Sequence, residues 1–170
     1  MIRVDIETII MASGPVPSVV VLRERKTGTS SDSTLRALSI QTGSYEAASI
    51  GHGIDMAKQP QRPIAHDVLI QTVKSLGSKI ERVEISRWEA PIFYADVILA
   101  APSGESEEIK LDARPSDALA IATRANVPIY AEDDVMNRAG SISFQNTDET
   151  SIEEFEKFDE FVHTLSPDDF

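Results

Sequence analysis

The chain contains no cysteine. This absence excludes disulfides, thiol catalysis and thiolate metal sites, so any metal ion would be held by carboxylates and the three histidines. The sequence also lacks an apolar run long enough to cross a membrane. Residues 1–7 alternate apolar and charged side chains where a signal peptide needs a continuous apolar segment. We therefore expect a cytoplasmic protein with no membrane partner.

Basic stretches are scarce as well. The formal net charge is −12, and no basic stripe with interleaved aromatic residues occurs, which argues against strong nonspecific binding of DNA. The negative charge is concentrated near the end, because residues 148–170 hold nine acids and one base, whereas the other 147 residues hold 19 acids and 15 bases. The body of the protein is thus only mildly acidic, and a few arginines or metal ions could still bind nucleic acid locally.

The order of periodic segments indicates an internal duplication. Alternating apolar residues predict two sets of three strands, and helical spacing predicts two helices after each set. Ile40 corresponds to Leu111, and the following residues of the two halves keep that offset of 71 positions. We expect one α+β domain over residues 1–145, built from a duplicated β3α2 unit with repeats at about 1–77 and 78–140.

Residues 146–170 differ in kind from this domain. Within them, apolar side chains recur at helical spacing between acids, namely at Ile152, Phe155, Phe158, Val162 and Leu165. This pattern predicts a C-terminal amphipathic acidic helix that docks its apolar face on the body or on a second subunit.

The stretch 111–118, Leu-Asp-Ala-Arg-Pro-Ser-Asp-Ala, carries the most specific signal in the chain. Pro115 has the fixed φ and missing N–H that suit the first position of a helix, and Asn126 is a suitable left-handed cap at its end. Asp112 and Arg114 would lie at the preceding strand end and turn, where binding residues are often carried on a rigid scaffold.

This stretch resembles the bifunctional nuclease domain family of bacteria and plants. Further matching residues lie on both sides of it, namely Arg62-Pro63-Ile64, His66-Asp67, Ala120, Ala122, Arg124 and Pro128-Ile129. The similarity extends over roughly residues 1–140. The resemblance implies a metal-dependent nuclease that hydrolyses phosphodiester bonds in RNA and DNA. We also expect a homodimer or a higher homo-oligomer.

We expect folding to gather the segment near residue 66 and the corner near residue 112 into one water-accessible hollow. The predicted catalytic residues are Asp112, Asp117, His66 and Asp67. Phosphate would be bound by Arg114 and Arg62. Mg²⁺ or Mn²⁺, which prefer oxygen ligands, would be held by Asp112, Asp117 and Glu46, and no organic cofactor is expected.

Each of these residues also has an ordinary structural interpretation. Asp67 could cap a helix that starts at Val68, His66 could donate to a backbone carbonyl, and Arg114 could form an ion pair with a nearby aspartate. Trp88 is expected to anchor a turn or an interface rather than to stack on a base, since no second aromatic lies at a matching spacing.

Two other functions stay open on the sequence alone. One is a noncatalytic regulatory module that binds a small anionic ligand or a nucleotide. The other is an oligomeric protein-interaction scaffold, in which the two motifs only build the fold and the interface.

Overall fold

The computed structural model describes residues 1–25, 35–55, 62–101 and 108–142. Within them, eight strands form one sheet, and four helices accompany it. The strands are β1 (Ile2–Ile10), β2 (Ser18–Glu24), β3 (Arg36–Thr42), β4 (Lys79–Glu89), β5 (Ile92–Ala100), β6 (Ile109–Ala113), β7 (Ile129–Ala131) and β8 (Ser141–Ile142). The helices are α1 (Ser44–Ile54), α2 (Ala65–Ser75), α3 (Pro115–Ala125) and α4 (Asp133–Ala139). The predicted α+β class is confirmed.

The sheet order is β6-β5-β4-β7-β1-β2-β3-β8. Only β4 and β7 pair in parallel, and every other neighbouring pair is antiparallel. Three sequential strands are followed by a helix twice, first as β1 to β3 with α1 and then as β4 to β6 with α3. β7 lies between α3 and α4, and the described part of the first half has no strand at the equivalent place, so the duplication stays a prediction. The predicted C-terminal helix lies outside the described residues.

One face of the sheet forms the hydrophobic core with the helices. Val4, Leu22 and Val83 on this face are fully buried, as are Ile50 of α1 and Leu119 of α3. The opposite face carries ion pairs such as Arg25–Asp5 and Arg82–Glu84 beside a few apolar side chains. This segregation follows from the two-residue period of a strand, which sends neighbouring residues to opposite faces. No helix in the described part of the chain has the length and apolar character needed to span a membrane.

Helix α3 begins at Pro115 and is capped after Ala125 by Asn126, whose φ of 53° is left-handed, as predicted. Its packing partner is α1, and the two helices approach closely because small residues line their contact. A Cβ on Gly53 would overlap Thr123, with 2.8 Å to the threonine Cβ. The first turns of the two helices are also in contact, so α1 and α3 run in the same direction and place their N-termini side by side.

A paired glycine substitution tests this close approach. Gly53→Ala forces α1 away from Thr123, and we expect it to lower the free energy of unfolding by about 1–3 kcal/mol. Gly51→Ala is the matched control on the same helix, because a Cβ at Gly51 meets nothing within 4 Å. It should raise the free energy of unfolding by about 0.5–1 kcal/mol through helix propensity. Urea unfolding measures both, and equal effects of the two variants would contradict the packing.

Candidate functional site

Two strand-to-helix corners meet beside the core. β3 enters α1 through Gly43, and β6 enters α3 through Arg114, with extended backbone at both junctions. Neither helix is capped by the side chain of its own N-cap residue. Since the free N–H groups and dipoles of two parallel helices point to the same place, the corner favours negative charge. Glu46 and Asp117 supply it from the two first turns.

Arg114 joins the two corners. Its Nε and Nη2 donate to the Oδ2 and Oδ1 of Asp117 at 2.7 and 3.1 Å, and its Nη1 donates to Glu46 Oε1 at 3.2 Å. The guanidinium lowers the pKa of the Asp117 carboxyl, and Asp117 in turn raises the pKa of Arg114. The Arg114 side chain nevertheless stays 65% exposed. Three of its five N–H donors are engaged, which leaves two for an external acceptor.

His66 connects Asp117 to α1. Its Nε2 lies 3.1 Å from Asp117 Oδ1, and its Nδ1 lies 3.1 Å from Ser49 Oγ. Ser49 Oγ accepts a hydrogen bond from Arg124 Nη2 at 3.3 Å, so its own hydrogen is available for His66 Nδ1. The ring hydrogen then lies on Nε2 and is donated to Asp117, an assignment that follows from the donors and acceptors around the ring.

Asp67 and Arg124 form the inner end of this network. Asp67 Oδ2 accepts from the backbone N–H of Ile64 at 2.9 Å, and its Oδ1 accepts from Arg124 Nε at 3.1 Å. Arg124 is only 4% exposed, and its Nη1 also donates to the carbonyl of Ala120 at 2.9 Å. The structural interpretation, that Asp67 caps a helix, is confirmed, because its carboxylate accepts a backbone N–H at the start of α2. Its helix, however, begins at Ala65 rather than at Val68.

The contacts of Ser49, His66 and Asp117 are similar to those of a serine hydrolase triad, with the two ring nitrogens exchanged. Unlike a catalytic serine, however, Ser49 is not accessible to a substrate, because it is only 3% exposed and its hydroxyl is bound to Arg124. Both nitrogens of His66 are also engaged within the protein. The triad-like group therefore holds three helices together and orients Asp117, and Ser49 cannot attack a substrate in this arrangement.

The structure brings together Glu46, His66, Arg114 and Asp117, and it places Asp67 next to them. Asp112 does not join the group. Its β6 register sets it opposite Asp96 of β5, exposed and on the sheet face away from the helices, because its neighbours Leu111 and Ala113 point to the helix side. Arg62 is exposed just before α2. The prediction that residues 66 and 112 share one hollow is therefore wrong, because strand alternation places Asp112 on the opposite sheet face and the hollow beside Arg114 is lined by neither residue.

The predicted metal ligands do not form a metal site as they are folded. Across residues 1–25, 35–55, 62–101 and 108–142, no three histidine or acidic side chains group closely enough to hold a metal ion. Glu46 and Asp117 share the guanidinium of Arg114, a cation already in the place between them. These two carboxylates therefore do not fit a resident metal.

A cleft of about 790 Å³ opens beside Arg114. One wall is apolar and comes from the β4–β5 hairpin, with Trp88, Pro91, Ile92 and Phe93. The facing wall is polar and comes from the end of β3 and the starts of α1 and α3. Arg138 of α4 lies above the Trp88 ring, with 5.3 Å from its guanidinium carbon to the ring centroid. This volume is within the range of small-ligand sites, about 300–1,000 Å³.

Sequence reasoning missed Ser49, Arg124 and the cleft wall. Arg124 is one of the residues that carry the family resemblance, but its buried position and its two helix contacts depend on how α1, α2 and α3 pack. The second aromatic of the cleft, Phe93, is the cross-strand partner of Trp88, with ring centroids 6.2 Å apart. Pairing across a predicted hairpin is the signal that would have found it.

The chain is similar in sequence to several known proteins. A Mycobacterium tuberculosis protein described as uncharacterised is 39% identical over 140 residues, which are 79% of this chain and 81% of that protein. A protein named bifunctional nuclease from Oryza minuta is 30% identical over 108 residues, and bifunctional nuclease 1 from Arabidopsis thaliana is 31% identical over 71 residues. These matches cover 64% and 42% of this chain but only 32% and 22% of the plant proteins.

The family profile described as the bifunctional nuclease domain matches residues 20–143. This span contains every residue of the network from Glu46 to Arg124 and all of the cleft wall. The chain therefore belongs to the bifunctional nuclease domain family.

Proposed function

We propose that this protein is a nuclease that hydrolyses phosphodiester bonds in RNA and DNA. The family supports the reaction class, and the observation that carries the site is Arg114, a mostly exposed guanidinium with two unused donors at the edge of a nucleotide-sized cleft. An arginine held on one side by carboxylates presents a fixed, charged fork to a phosphate oxygen pair.

Glu46 is the carboxylate we assign to water activation in this proposal. It lines the cleft, and Arg114 engages only its Oε1, so Oε2 keeps the capacity to accept a hydrogen bond from water. Asp117 is less suited, because both of its oxygens already accept hydrogen bonds from Arg114 or His66. Asp117 and His66 are positioning residues that fix the direction of Arg114.

Dependence on Mg²⁺ or Mn²⁺ is a separate proposal. Mg²⁺ keeps several of its waters and is commonly bound through one or two carboxylates together with substrate phosphates. Such an ion would enter with the nucleic acid, and Glu46 is the carboxylate in the cleft that is free to meet it. This route needs no preformed group of three ligands, and we derive no step of the reaction through it.

Cleavage of labelled RNA and DNA oligonucleotides tests the site. Arg114→Gln removes a charged contact to phosphate, and we expect KM to rise about tenfold or more. Glu46→Gln should lower kcat with little change in KM, because it keeps the shape and removes the base. EDTA should stop cleavage if a divalent ion takes part.

Two matched controls accompany these variants. Arg25 is also exposed and bonded to a carboxylate, Asp5 at 2.8 Å, but lies on the other sheet face, so Arg25→Gln should leave KM unchanged. Asp112→Ala tests the role predicted for that residue. Complete loss of cleavage in a folded Asp112→Ala protein, with Glu46→Gln still active, would move the centre to the opposite face and overturn our site.

A noncatalytic nucleotide-binding module is the second candidate. It is favoured by the closed network, in which both nitrogens of His66 and both oxygens of Asp117 are already bonded. In that case the same residues hold the helices together, and the cleft binds a nucleotide without cutting. Nucleotide-dependent melting shifts in the absence of any cleavage would favour this function.

The pH dependence of stability tests the structural part of the network. Because the pKa of Asp117 is lowered in the folded protein, its contribution is fully present above the ordinary value of 3.8 and is lost as the pH falls through the lower folded value. The wild type should melt above Asp117→Asn at about pH 6, and the difference should shrink steadily as the pH falls below 3.8. A pH-independent difference would show that the charge of Asp117 adds no stability.

We also propose that the protein is cytoplasmic and forms a homodimer or a higher homo-oligomer. Exposed apolar side chains on the edge strand β6 support self-association, since Ile109 and Leu111 are 40% and 39% exposed. Light scattering after gel filtration should give a multiple of 18.6 kDa. Leu111→Glu should lower that mass, whereas Lys110→Gln on the opposite face of β6 should not. A monomeric wild type would contradict the proposal.

A further inference from the structure

We propose that the cleft is a binding site for an unpaired nucleobase, so that the substrate class is single-stranded nucleic acid rather than duplex. The inference rests on the proposed function, which makes the ligand a nucleic acid. It adds the aromatic wall of the cleft, which takes no part in the hydrogen-bond network. The aromatic wall binds the base, and the neighbouring arginines bind the adjoining phosphates.

The wall has the surface that a base needs. Trp88 and Phe93 face each other across β4 and β5, at 6.2 Å between ring centroids and 40° between ring planes. Pro91 and Ile92 continue the wall around the hairpin, and Ile92 is 55% exposed. Trp88 and Phe93 are half-buried against the core, and the Arg138 guanidinium lies over the indole, so a flat heteroaromatic ring would bind beside that guanidinium on the exposed part of the wall.

The charge of the lining selects an anion. Two arginines, Arg114 and Arg138, and one acid, Glu46, line the cleft, and both guanidiniums keep N–H donors beyond those bonded to their acidic partners. Arg138 is 52% exposed and gives one hydrogen bond to Asp134, at 3.0 Å. It therefore keeps donors for a phosphate, as Arg114 does. Thr42 also lines the cleft, and it lies on the same face of β3 as Ile40, so its hydroxyl is the β3 side-chain group that suits the edge of a base.

The geometry favours a single strand. Bases within a duplex are stacked on both faces, so a protein aromatic can contact the face of a base only where the base is unpaired and unstacked. A cleft of about 790 Å³ has the volume for one nucleotide or two, and a base of a duplex could enter it only after leaving its stack. The phosphates would remain at the cleft edge, within reach of Arg114.

Trp88 is the only tryptophan of the chain, so its fluorescence reports directly on the cleft. The experiment titrates the full-length protein in EDTA with a single-stranded oligonucleotide, the matching duplex, adenosine monophosphate and inorganic phosphate. We expect quenching by the single strand and by the mononucleotide, at least tenfold weaker binding of the duplex, and no quenching by phosphate alone. Equal quenching by duplex and single strand, or no quenching by either, would overturn the inference.

The hairpin supplies a matched control. Tyr94 and Arg87 form a similar aromatic and arginine pair on its other face, with 3.9 Å from the Arg87 guanidinium carbon to the ring centroid. We expect Trp88→Leu, which keeps the wall apolar, to weaken single-strand binding about tenfold in a polarisation assay. Tyr94→Leu should leave binding unchanged. Circular dichroism establishes that both variants are folded, and equal effects of the two variants would contradict a role for the cleft.

The proposals for binding and for cleavage can be refuted separately, because fluorescence measures binding in EDTA and the oligonucleotide assay measures cleavage. Tryptophan quenching with no cleavage under any metal condition would retain the base site and remove the nuclease proposal. Cleavage that acts equally on duplex and single strand, and that Trp88→Leu does not change, would retain the nuclease and remove the base site.

Discussion

The close contact between α1 and α3 is the constraint on which the rest of the structure depends. Gly53 lets α1 approach Thr123, and the small buried side chains Ala118 and Ala122 give α3 a shallow surface facing the core. Because the helices run in the same direction, this approach brings two positive helix ends together. Glu46 and Asp117 neutralise them, and the pair of carboxylates then creates a place that only a cation can fill. Arg114 fills it.

The same helix packing buries one arginine of the network, Arg124, and leaves the other, Arg114, at the surface. Arg124 is enclosed between the helices, and its guanidinium is bonded to Asp67, Ser49 and a helix carbonyl, so its charge is compensated where water is absent. Arg114 has comparable partners but lies at the surface, where part of its fork faces solvent. A side chain that is both fixed and accessible can bind an anion with little loss of conformational entropy. The buried contacts of Arg124 thus fix the helices that hold Arg114 in place at the surface.

How much of this could be predicted depends on whether the cause is local. Pro115 and Asn126 determine where α3 begins and ends through their own backbone preferences, and both were predicted correctly. The contact of His66 with Asp117 joins residues 51 positions apart, and only helix packing decides it. The position of Asp112 could have been predicted from the sequence, because it follows from strand alternation in β6. Since Leu111 belongs to the helix side of β6, strand alternation already sends its neighbour to the other face. The 111–118 motif was expected to form one cluster of side chains, but Asp112 lies on one side of the sheet and Arg114 and Asp117 lie on the other.

The face that receives Asp112 also explains where a phosphate chain can approach. There, Glu84 is 1% exposed and is compensated by Arg82 at 2.6 Å and by Lys110 at 3.7 Å, while Arg82 also binds Glu108. The positive charges around Glu84 are thus used internally, and Asp96 and Asp112 stand side by side as like charges that repel a phosphate. With a net charge of −12, the whole protein offers no long-range attraction either. Nucleic acid must then be held by short-range contacts, and the helix-side cleft combines aromatic surface and exposed arginines with a volume that can enclose a nucleotide.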